Sequence, residues 1–120
     1  MLILTDGEIC DLPNTTEEII KCSSLPISII IVGVGKGNFG KMEKLDSDDS
    51  LLKGKGGNRA ERDVVQFVPF RKYSGNRAGE QLSEAVLAEM PYQLLAYMCK
   101  NRVKPAVNWP FELPNEPWVQ

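Results

Sequence analysis

The sequence contains no histidine, and its three cysteines, Cys10, Cys22 and Cys99, stand far apart. Without an imidazole, the acid–base and nucleophilic mechanisms that depend on histidine are excluded. An odd number of widely spaced cysteines predicts neither a zinc site nor a disulfide framework. We therefore predict no catalytic residues and a protein that is not an enzyme.

A strong charge of one sign and a long apolar run are also lacking. Fourteen Lys and Arg are set against sixteen Asp and Glu, so no basic field exists to attract nucleic acid, and we predict no nucleic-acid partner. The longest apolar run, Ile27–Val34, is far shorter than the roughly 20 residues that cross a bilayer as a helix. No basic region precedes the apolar residues that follow Met1, and Asp6 arrives before the apolar core of a signal peptide could form, which predicts a reducing, cytoplasmic setting.

Three short apolar runs predict strands, over Met1–Thr5, Ile27–Val32 and Asp63–Val68. Between the first two, Asn14 or Thr15 can cap a helix; between the second and third, Phe39–Leu45 has the spacing of a short helix. Because strands alternate with helices, the sequence predicts an α/β domain with a parallel sheet of about three strands and flanking helices.

The remaining segments divide into a helical region, a polar excursion and a tail. A helical pattern from Arg77 to Met98 is interrupted by Pro91, which predicts a kinked helix or two helices in series. Residues 46–62 are polar and rich in glycine, which predicts a mobile surface excursion. Beyond Lys104 four prolines and two tryptophans interrupt any periodicity, so we predict a domain over residues 1–104 and a disordered tail over 105–120.

The first predicted strand has a specific requirement. Met1–Thr5 shows no alternation of apolar and polar residues, which is typical of a strand buried on both faces of a parallel sheet. Such a strand needs a neighbour on each side, and no residue precedes it in this sequence. We therefore expect that part of the fold is missing.

Two motifs suggest ligand sites on spacing alone. Gly35–Gly40 has the spacing of a dinucleotide-binding fingerprint, but the acidic residue that should follow about 20 residues later is absent, which favours a turn after a strand. Asp46–Ser50 is rich in carboxylates, but Leu51 and Gly57 stand where an EF-hand needs Gly and Glu, which favours a solvated acidic loop.

Asp6 is the remaining candidate. It follows the first predicted strand, and ligands of open α/β sheets bind at the carboxyl ends of the strands. A single carboxylate cannot by itself supply the several oxygen ligands that magnesium requires. Local sequence alone therefore favours a turn at Asp6-Gly7.

Four stretches together resemble the copine family: Leu2–Glu8, Leu25–Gly35, Ala60–Arg71 and Val86–Leu95. The resemblance implies a von Willebrand A-like fold, a doubly wound, Rossmann-type parallel sheet. Only the second half of that domain is matched, so the resemblance implies that residues 1–104 are the carboxyl-terminal half and that the first half is missing.

The resemblance also gives Asp6 a role. It corresponds to the aspartate after the fourth strand in the metal-ion-dependent adhesion site of such domains. The Asp-x-Ser-x-Ser motif and the threonine that complete this site are absent here. We therefore expect an incomplete metal site at Asp6, no cofactor in this chain, and a divalent cation, Mg²⁺ or Ca²⁺, only in the full-length parent.

The function that the resemblance implies is recruitment rather than turnover. Copines are calcium-dependent phospholipid-binding proteins that dock to membranes through domains absent from this sequence. The remaining part corresponds to the A-like domain, which engages intracellular proteins. The resemblance implies a cytoplasmic protein whose parent associates with the plasma membrane when calcium binds, and it singles out no partner-binding residue.

Two alternatives remain open at this point. RING-type ubiquitin ligases carry a similar copine-like domain, but a RING needs eight Cys and His ligands, which this chain lacks. That alternative therefore concerns only a longer parent. A fragment of a dinucleotide-binding enzyme, based on Gly35–Gly40, is the more distant alternative.

Overall fold

The structure is a computed structural model that describes residues 1–46 and 50–104. Within these residues, strands alternate with helices along the chain. The strands are β1 (Leu2–Thr5), β2 (Ile29–Gly33) and β3 (Val65–Pro69); the helices are α1 (Leu12–Cys22), α2 (Gly40–Glu43), α3 (Ala78–Leu87) and α4 (Met90–Lys100), with a 3₁₀ turn over Phe70–Lys72.

The three strands form one parallel sheet in the order β1-β2-β3. Leu2 lies opposite Ile30 across the first pair, and Ile29 lies opposite Val65 across the second. The prediction of a three-stranded α/β domain is confirmed. The acidic residues 47–49 and the tail over residues 105–120 lie outside the described residues.

The core lies on the sheet face that α1 and α2 cover. Side chains at alternate positions of β2 and β3 point to this face, and apolar residues of α1 and α2 pack on them. Phe39 contacts the strand residue Phe67 with ring centroids 5.6 Å apart. The predicted spacing of Phe39, Met42 and Leu45 is therefore the spacing of buried positions, as all three are buried. The cluster comprises Ile19, Ile29, Ile31, Phe39, Met42, Leu45, Val64, Val65 and Phe67.

The environment of β1 differs from the prediction. Only β2 pairs with it, and its residues alternate between exposed and half-buried. Ile3 packs against the core, whereas Leu2 and Leu4, on the other face, are 62% and 66% exposed. The expectation of a strand buried on both faces is thus wrong for the chain as it stands, because no described element covers the second face of β1.

The first helix begins earlier than predicted. Asp11, rather than Asn14 or Thr15, is the N-cap, and its carboxylate accepts from the Asn14 backbone N–H at 3.4 Å and from the Asn14 side-chain amide at 2.6 Å. Pro13 lies within the first turn, where its missing N–H costs no hydrogen bond.

The predicted interruption at Pro91 is confirmed as two helices, α3 and α4, with Pro91 in the first turn of α4.

Within the predicted surface excursion, residues 50–62 form a hairpin-like loop. Lys53 and Arg59 form an antiparallel bridge, and Gly54 N–H donates to the Asn58 carbonyl at 2.9 Å. The carboxylate of Glu17, on α1, accepts from the Lys55 N–H and from the Asn58 amide, each at 2.8 Å. Glu17 therefore links the tip of this loop to α1.

Glu17 gives this loop a pH dependence. Hydrogen bonds from Asn58 and from the Lys55 backbone hold the pKa of Glu17 below its ordinary value of 4.5. A carboxyl group with a lowered folded-state pKa contributes stability above its unfolded pKa, and the contribution is lost as pH falls through the folded pKa. We expect Glu17→Ala to speed hydrogen exchange at the Lys55 amide several-fold at pH 7, and the difference from wild type to shrink at acid pH.

Hydrogen exchange measured by mass spectrometry checks this prediction, with each variant compared to wild type at the same pH. Glu18→Ala is the matched control, because the neighbouring Glu18 carboxylate pairs with Lys21 at the surface and has no contact with the loop. Equal exchange at Lys55 in wild type and Glu17→Ala at pH 7 would contradict the proposed tie.

Candidate functional site

The carboxyl ends of all three strands lie at one edge of the sheet, because the strands are parallel. The segments that follow β1 and β2 touch there: a Cβ atom at Gly37 would lie 2.6 Å from the Asp6 carbonyl oxygen. Only glycine permits this close approach. In open α/β sheets this edge is where ligands bind, which makes it the candidate functional site.

Charged side chains hold the three segments of this edge together. Arg71, after β3, donates to the Gly37 carbonyl at 3.0 Å, and its guanidinium lies 5.2 Å from the Phe39 ring centroid. Lys41 pairs with the Glu8 carboxylate at 3.3 Å and donates to the Ile9 carbonyl at 3.1 Å. These contacts join the segments that follow the three strands, and the resulting surface carries both positive and negative side chains.

Asp6 lies at this edge as predicted from its place after β1, and it is exposed. Among residues 1–46 and 50–104, the group of three carboxylates close enough to hold an ion does not include Asp6. One exposed carboxylate does not form a metal centre, since magnesium and calcium need several oxygen ligands. The residues described here therefore do not fit a complete metal site at Asp6.

The glycines of Gly35–Gly40 have conformational roles. Gly35 has φ of 79°, a left-handed conformation that favours glycine, and Gly37 approaches Asp6 closely. The helix that follows, α2, has only four residues. These features agree with a turn after β2. A helix of four residues is much shorter than the helix that follows the glycines of a dinucleotide-binding fold, so the dinucleotide alternative gains no support.

A second acidic group lies at the outer edge of β3. Carboxylate oxygens of Asp46, Asp63 and Glu89 lie within 4.8 Å of one another. The Phe67 N–H donates to Asp46 Oδ2 at 2.8 Å, and the Val65 N–H donates to Asp63 Oδ1 at 3.2 Å. Asp46 and Asp63 hence satisfy backbone donors of an edge strand. Three carboxylates this close could also contact a divalent cation.

Sequence reasoning identified only one member of this group. Asp46 was predicted to belong to an acidic loop, whose residues 47–49 lie outside the described residues. Asp63 and Glu89 were missed as partners of Asp46. Asp63 could have been found from its position two residues before β3, where an aspartate can accept from the backbone N–H of the strand's first residue, Val65.

Several described hydroxyl groups, such as those of Thr16, Ser23 and Ser83, donate to backbone carbonyls of their own helices or helix ends. Cys10 is exposed, Cys22 and Cys99 are half-buried, and none of the three forms a disulfide. Across the described helices, none combines the length and apolar character needed to cross a bilayer.

Comparison with known proteins gives a family match over most of the chain. The copine family model matches residues 1–106. Copine-C of Dictyostelium discoideum is 50% identical over 105 residues, which cover 88% of this chain and 19% of Copine-C. Copine-E of the same organism is 54% identical over 99 residues, covering 82% of this chain and 17% of Copine-E.

A third relative, Copine-A of Dictyostelium discoideum, is 53% identical over 105 residues, covering 88% of this chain and 17% of Copine-A. The chain thus spans less than a fifth of the length of each of these relatives. The range of the family match, residues 1–106, spans every strand and helix of the described part of the chain.

Proposed function

The chain belongs to the copine family, and on that premise we propose that it is a non-catalytic, protein-recruiting segment of a calcium-dependent phospholipid-binding protein. The observation that carries this proposal is the match over residues 1–106 together with about half of the residues identical to named copines. The relatives above are all named copines, which favours this function over a copine-like domain of a ubiquitin ligase.

Membrane binding and protein binding are assigned to different parts of the parent protein. Membrane binding belongs to parts of the parent outside this chain, and residues 1–104 present a surface to intracellular proteins. The edge of the sheet at the carboxyl ends of the strands suits such a role, because hydrogen bonds from Arg71 and Lys41 hold its loops in one arrangement. A preordered surface loses less conformational entropy when a partner binds. The parent would then move between the cytoplasm and the plasma membrane with calcium.

Asp6 is the part of this surface most suited to contact a cation in a longer parent. Asp6 is exposed at the carboxyl end of β1, where its backbone carbonyl lies close to Gly37, and its carboxylate would contribute one oxygen ligand. The remaining ligands would have to come from residues outside the described part of this chain.

For the isolated chain we therefore expect weak or no magnesium binding at Asp6. Isothermal titration calorimetry with magnesium chloride should give no heat of binding in the micromolar range, and Asp6→Ala should not change the titration, because one exposed carboxylate cannot replace several waters of the hydrated ion. Glu8→Ala serves as a control for general loss of negative charge at this edge. Micromolar affinity that disappears in Asp6→Ala would overturn the prediction.

The recruitment proposal is tested by a chimera. In substituted Copine-C, residues 1–106 of this chain replace the 105-residue stretch of Copine-C that matches them. Vesicles of phosphatidylserine and phosphatidylcholine are sedimented with calcium or with a chelator. We expect substituted Copine-C to sediment only with calcium, and the isolated chain to stay in solution under both conditions.

The second part of the experiment measures which other proteins sediment with the vesicles. Proteins carried to the vesicles from Dictyostelium extract are compared for Copine-C, for Copine-C lacking the stretch, and for substituted Copine-C. Loss of specific proteins on deletion and their return on substitution support the proposal. An unchanged set after deletion, or sedimentation of the isolated chain with calcium, would contradict it.

A further inference from the structure

The hairpin-like loop over residues 50–62 has an inner and an outer face. Leu52 is half-buried against the core and Ala60 is buried, so their side chains face the domain. Lys53 and Arg59 are exposed and lie opposite each other in the antiparallel bridge. Because successive side chains alternate between the two faces of a strand, both cations point away from the domain on the outer face.

The backbone hydrogen bonds show that Lys53 and Arg59 form the closer kind of antiparallel pair. The N–H groups of Gly54 and Ala60, the residues that follow the two cations, donate to carbonyls of the opposite strand at 2.9 Å. The bonds therefore flank the pair. A flanked pair has Cα atoms only about 4.5 Å apart, with its side chains correspondingly close. Two positive charges thus leave the loop side by side.

No carboxylate of the described chain balances these charges. The four ion pairs among residues 1–46 and 50–104 include neither Lys53 nor Arg59. Glu17 lies on the inner face, where a Cβ atom at Gly54 would collide with its carboxylate. Like charges directly opposite each other destabilise a strand pair. In a folded domain, an arrangement that breaks such a local rule is expected at a functional site.

We infer that the Lys53/Arg59 pair binds a phosphate group on a partner protein, a phosphoserine or phosphothreonine side chain. A phosphate monoester carries a charge of about −1.5 to −2 at pH 7, so one such group balances both cations, whereas a carboxylate balances one. The planar guanidinium can donate two parallel hydrogen bonds to phosphate oxygens, and the ammonium adds a compact second charge. The inference rests on the proposed recruitment of proteins and names the chemistry that is recognised.

A membrane surface fits this pair less well. Segments that bind anionic lipids carry clusters of roughly four to eight basic residues, whereas the loop exposes only Lys53, Lys55 and Arg59. The whole chain has a net charge of −2, and the Glu17 carboxylate lies against the loop. An extended anionic surface would approach these negative charges too, whereas a single phosphate contacts the cation pair alone.

Nuclear magnetic resonance titration of the isotope-labelled chain tests the site directly. The probe is the peptide Gly-Ser-Gly-phosphoserine-Gly-Ser-Gly, compared with the same peptide without phosphate. We expect the backbone signals of Lys53 and Arg59 to shift with the phosphopeptide, and its Kd to be lower than that of the unphosphorylated peptide by about tenfold or more. Equal affinities, or shifts confined to other parts of the chain, would overturn the inference.

Two double variants separate the pair from overall charge. Lys53→Gln with Arg59→Gln should weaken phosphopeptide binding by about tenfold or more. Lys36→Gln with Lys44→Gln is the matched control, because it removes two exposed lysines that belong to none of the four ion pairs of the described residues. The control should change the affinity by less than about twofold. Equal losses in both double variants would reveal a response to net charge alone and refute the inference.

A single charge reversal separates binding from stability. Lys53→Glu places a carboxylate opposite Arg59, so the hairpin should become more stable while phosphopeptide binding is lost. We expect hydrogen exchange at the Gly54 amide, which bonds across the hairpin, to slow by roughly two- to fivefold. Unchanged or faster exchange would mean that the two cations do not oppose each other and would contradict the inference.

Vesicle sedimentation without calcium tests the membrane as the alternative source of phosphate. The isolated chain is mixed with vesicles of phosphatidylcholine and phosphatidylinositol bisphosphate, and we expect it to stay in solution. Sedimentation that Lys53→Gln with Arg59→Gln abolishes, and that Lys36→Gln with Lys44→Gln retains, would assign the pair to lipid headgroups and overturn the inference.

Recruitment by substituted Copine-C distinguishes failure of this inference from failure of the proposed function. We expect phosphatase treatment of the extract to remove the same recruited proteins as Lys53→Gln with Arg59→Gln removes. Recruitment that neither change affects would refute the inference and leave the proposed function intact. Absence of any recruited protein, with phosphopeptide binding retained, would contradict the proposed function and leave the phosphate site.

Discussion

Replacing Phe39 with alanine is expected to cost about 3–5 kcal/mol of folding free energy, which is a large fraction of the roughly 5–15 kcal/mol by which such domains are stable. Phe39 is only 2% exposed, and it stands between the core and the carboxyl edge of the sheet. Its ring packs on Phe67 on one side and beneath the Arg71 guanidinium on the other. Its removal would leave a cavity and also release Arg71.

Gly33 shows how tightly this ring is enclosed. A Cβ atom placed on Gly33, at the end of β2, would lie 2.9 Å from the Phe39 ring. We expect Gly33→Ala alone to be destabilising by roughly 1–3 kcal/mol, because the added methyl group would force the buried ring to shift within the core. In a Phe39→Leu background the same change should cost much less, since leucine is shorter and leaves that space open.

The double-mutant cycle is measured by urea denaturation followed by circular dichroism. Phe39→Leu is included because Phe39→Ala can leave too little folded protein to analyse. Phe70→Leu, at an exposed aromatic residue, is the control for loss of a ring without loss of packing, and it should change stability by less than about 0.5 kcal/mol. Additive effects of Gly33→Ala and Phe39→Leu would refute the proposed contact.

Replacing Arg62 with alanine is the second substitution expected to have a large effect, roughly 3 kcal/mol. Arg62 is 9% exposed, and its guanidinium donates to the carbonyls of Ile27 at 2.9 Å and Gln93 at 3.2 Å, and also to Leu25. It lies 5.4 Å from the Tyr97 ring centroid. One side chain thus joins the approach to β2 with α4.

Loss of Arg62 would leave several backbone carbonyls without their donor, and an unsatisfied buried polar group is costly. Burial lowers the pKa of Arg62, while Tyr97 and nearby carboxylates partly oppose this. The group stays protonated at neutral pH because the ordinary pKa of arginine lies far above neutrality. The contribution of Arg62 should therefore be constant between pH 5 and pH 8, and it should persist at the more acid pH at which the contribution of Glu17 is lost.

Arg62→Lys separates charge from geometry. A lysine ammonium keeps the charge but cannot span Leu25, Ile27 and Gln93 with one planar group, so we expect a loss between those of wild type and alanine. Arg59→Ala, at an exposed arginine three residues earlier, is the control and should have little effect. If Arg62→Lys were as stable as wild type, the positive charge of Arg62, and not the planar arrangement of its N–H donors, would account for its contribution to stability.

Much of the secondary structure could be predicted because it depends on residues close together in the chain. β-Branched runs mark β2 and β3, and the spacing of Phe39, Met42 and Leu45 marks buried positions around α2. Pro91 separates α3 from α4 because proline cannot donate within a helix. The start of α1 was misplaced by a few residues because Asp11 and Asn14 are both good capping residues, and only the folded geometry chose Asp11.

The candidate site was predicted only in part, for a related reason. Asp6 could be placed at the carboxyl edge, because the strand before it and the parallel sheet set that position. Its contact with Gly37 and the bracing by Arg71 could not be predicted, since residues about thirty positions apart meet there. The loop tied to Glu17 was predicted to be mobile because local composition carries no information about a distant carboxylate.

By itself the sequence determined the α/β class, the order of strands and helices, the absence of histidine chemistry and the copine resemblance, since these follow from composition, periodicity and local residue identity. Only the tertiary structure decided that β1 lies at an open edge while carboxylates and a proline close the edge of β3. Apolar residues in a strand reveal a tendency to be buried, but which neighbours bury them depends on how distant segments pack.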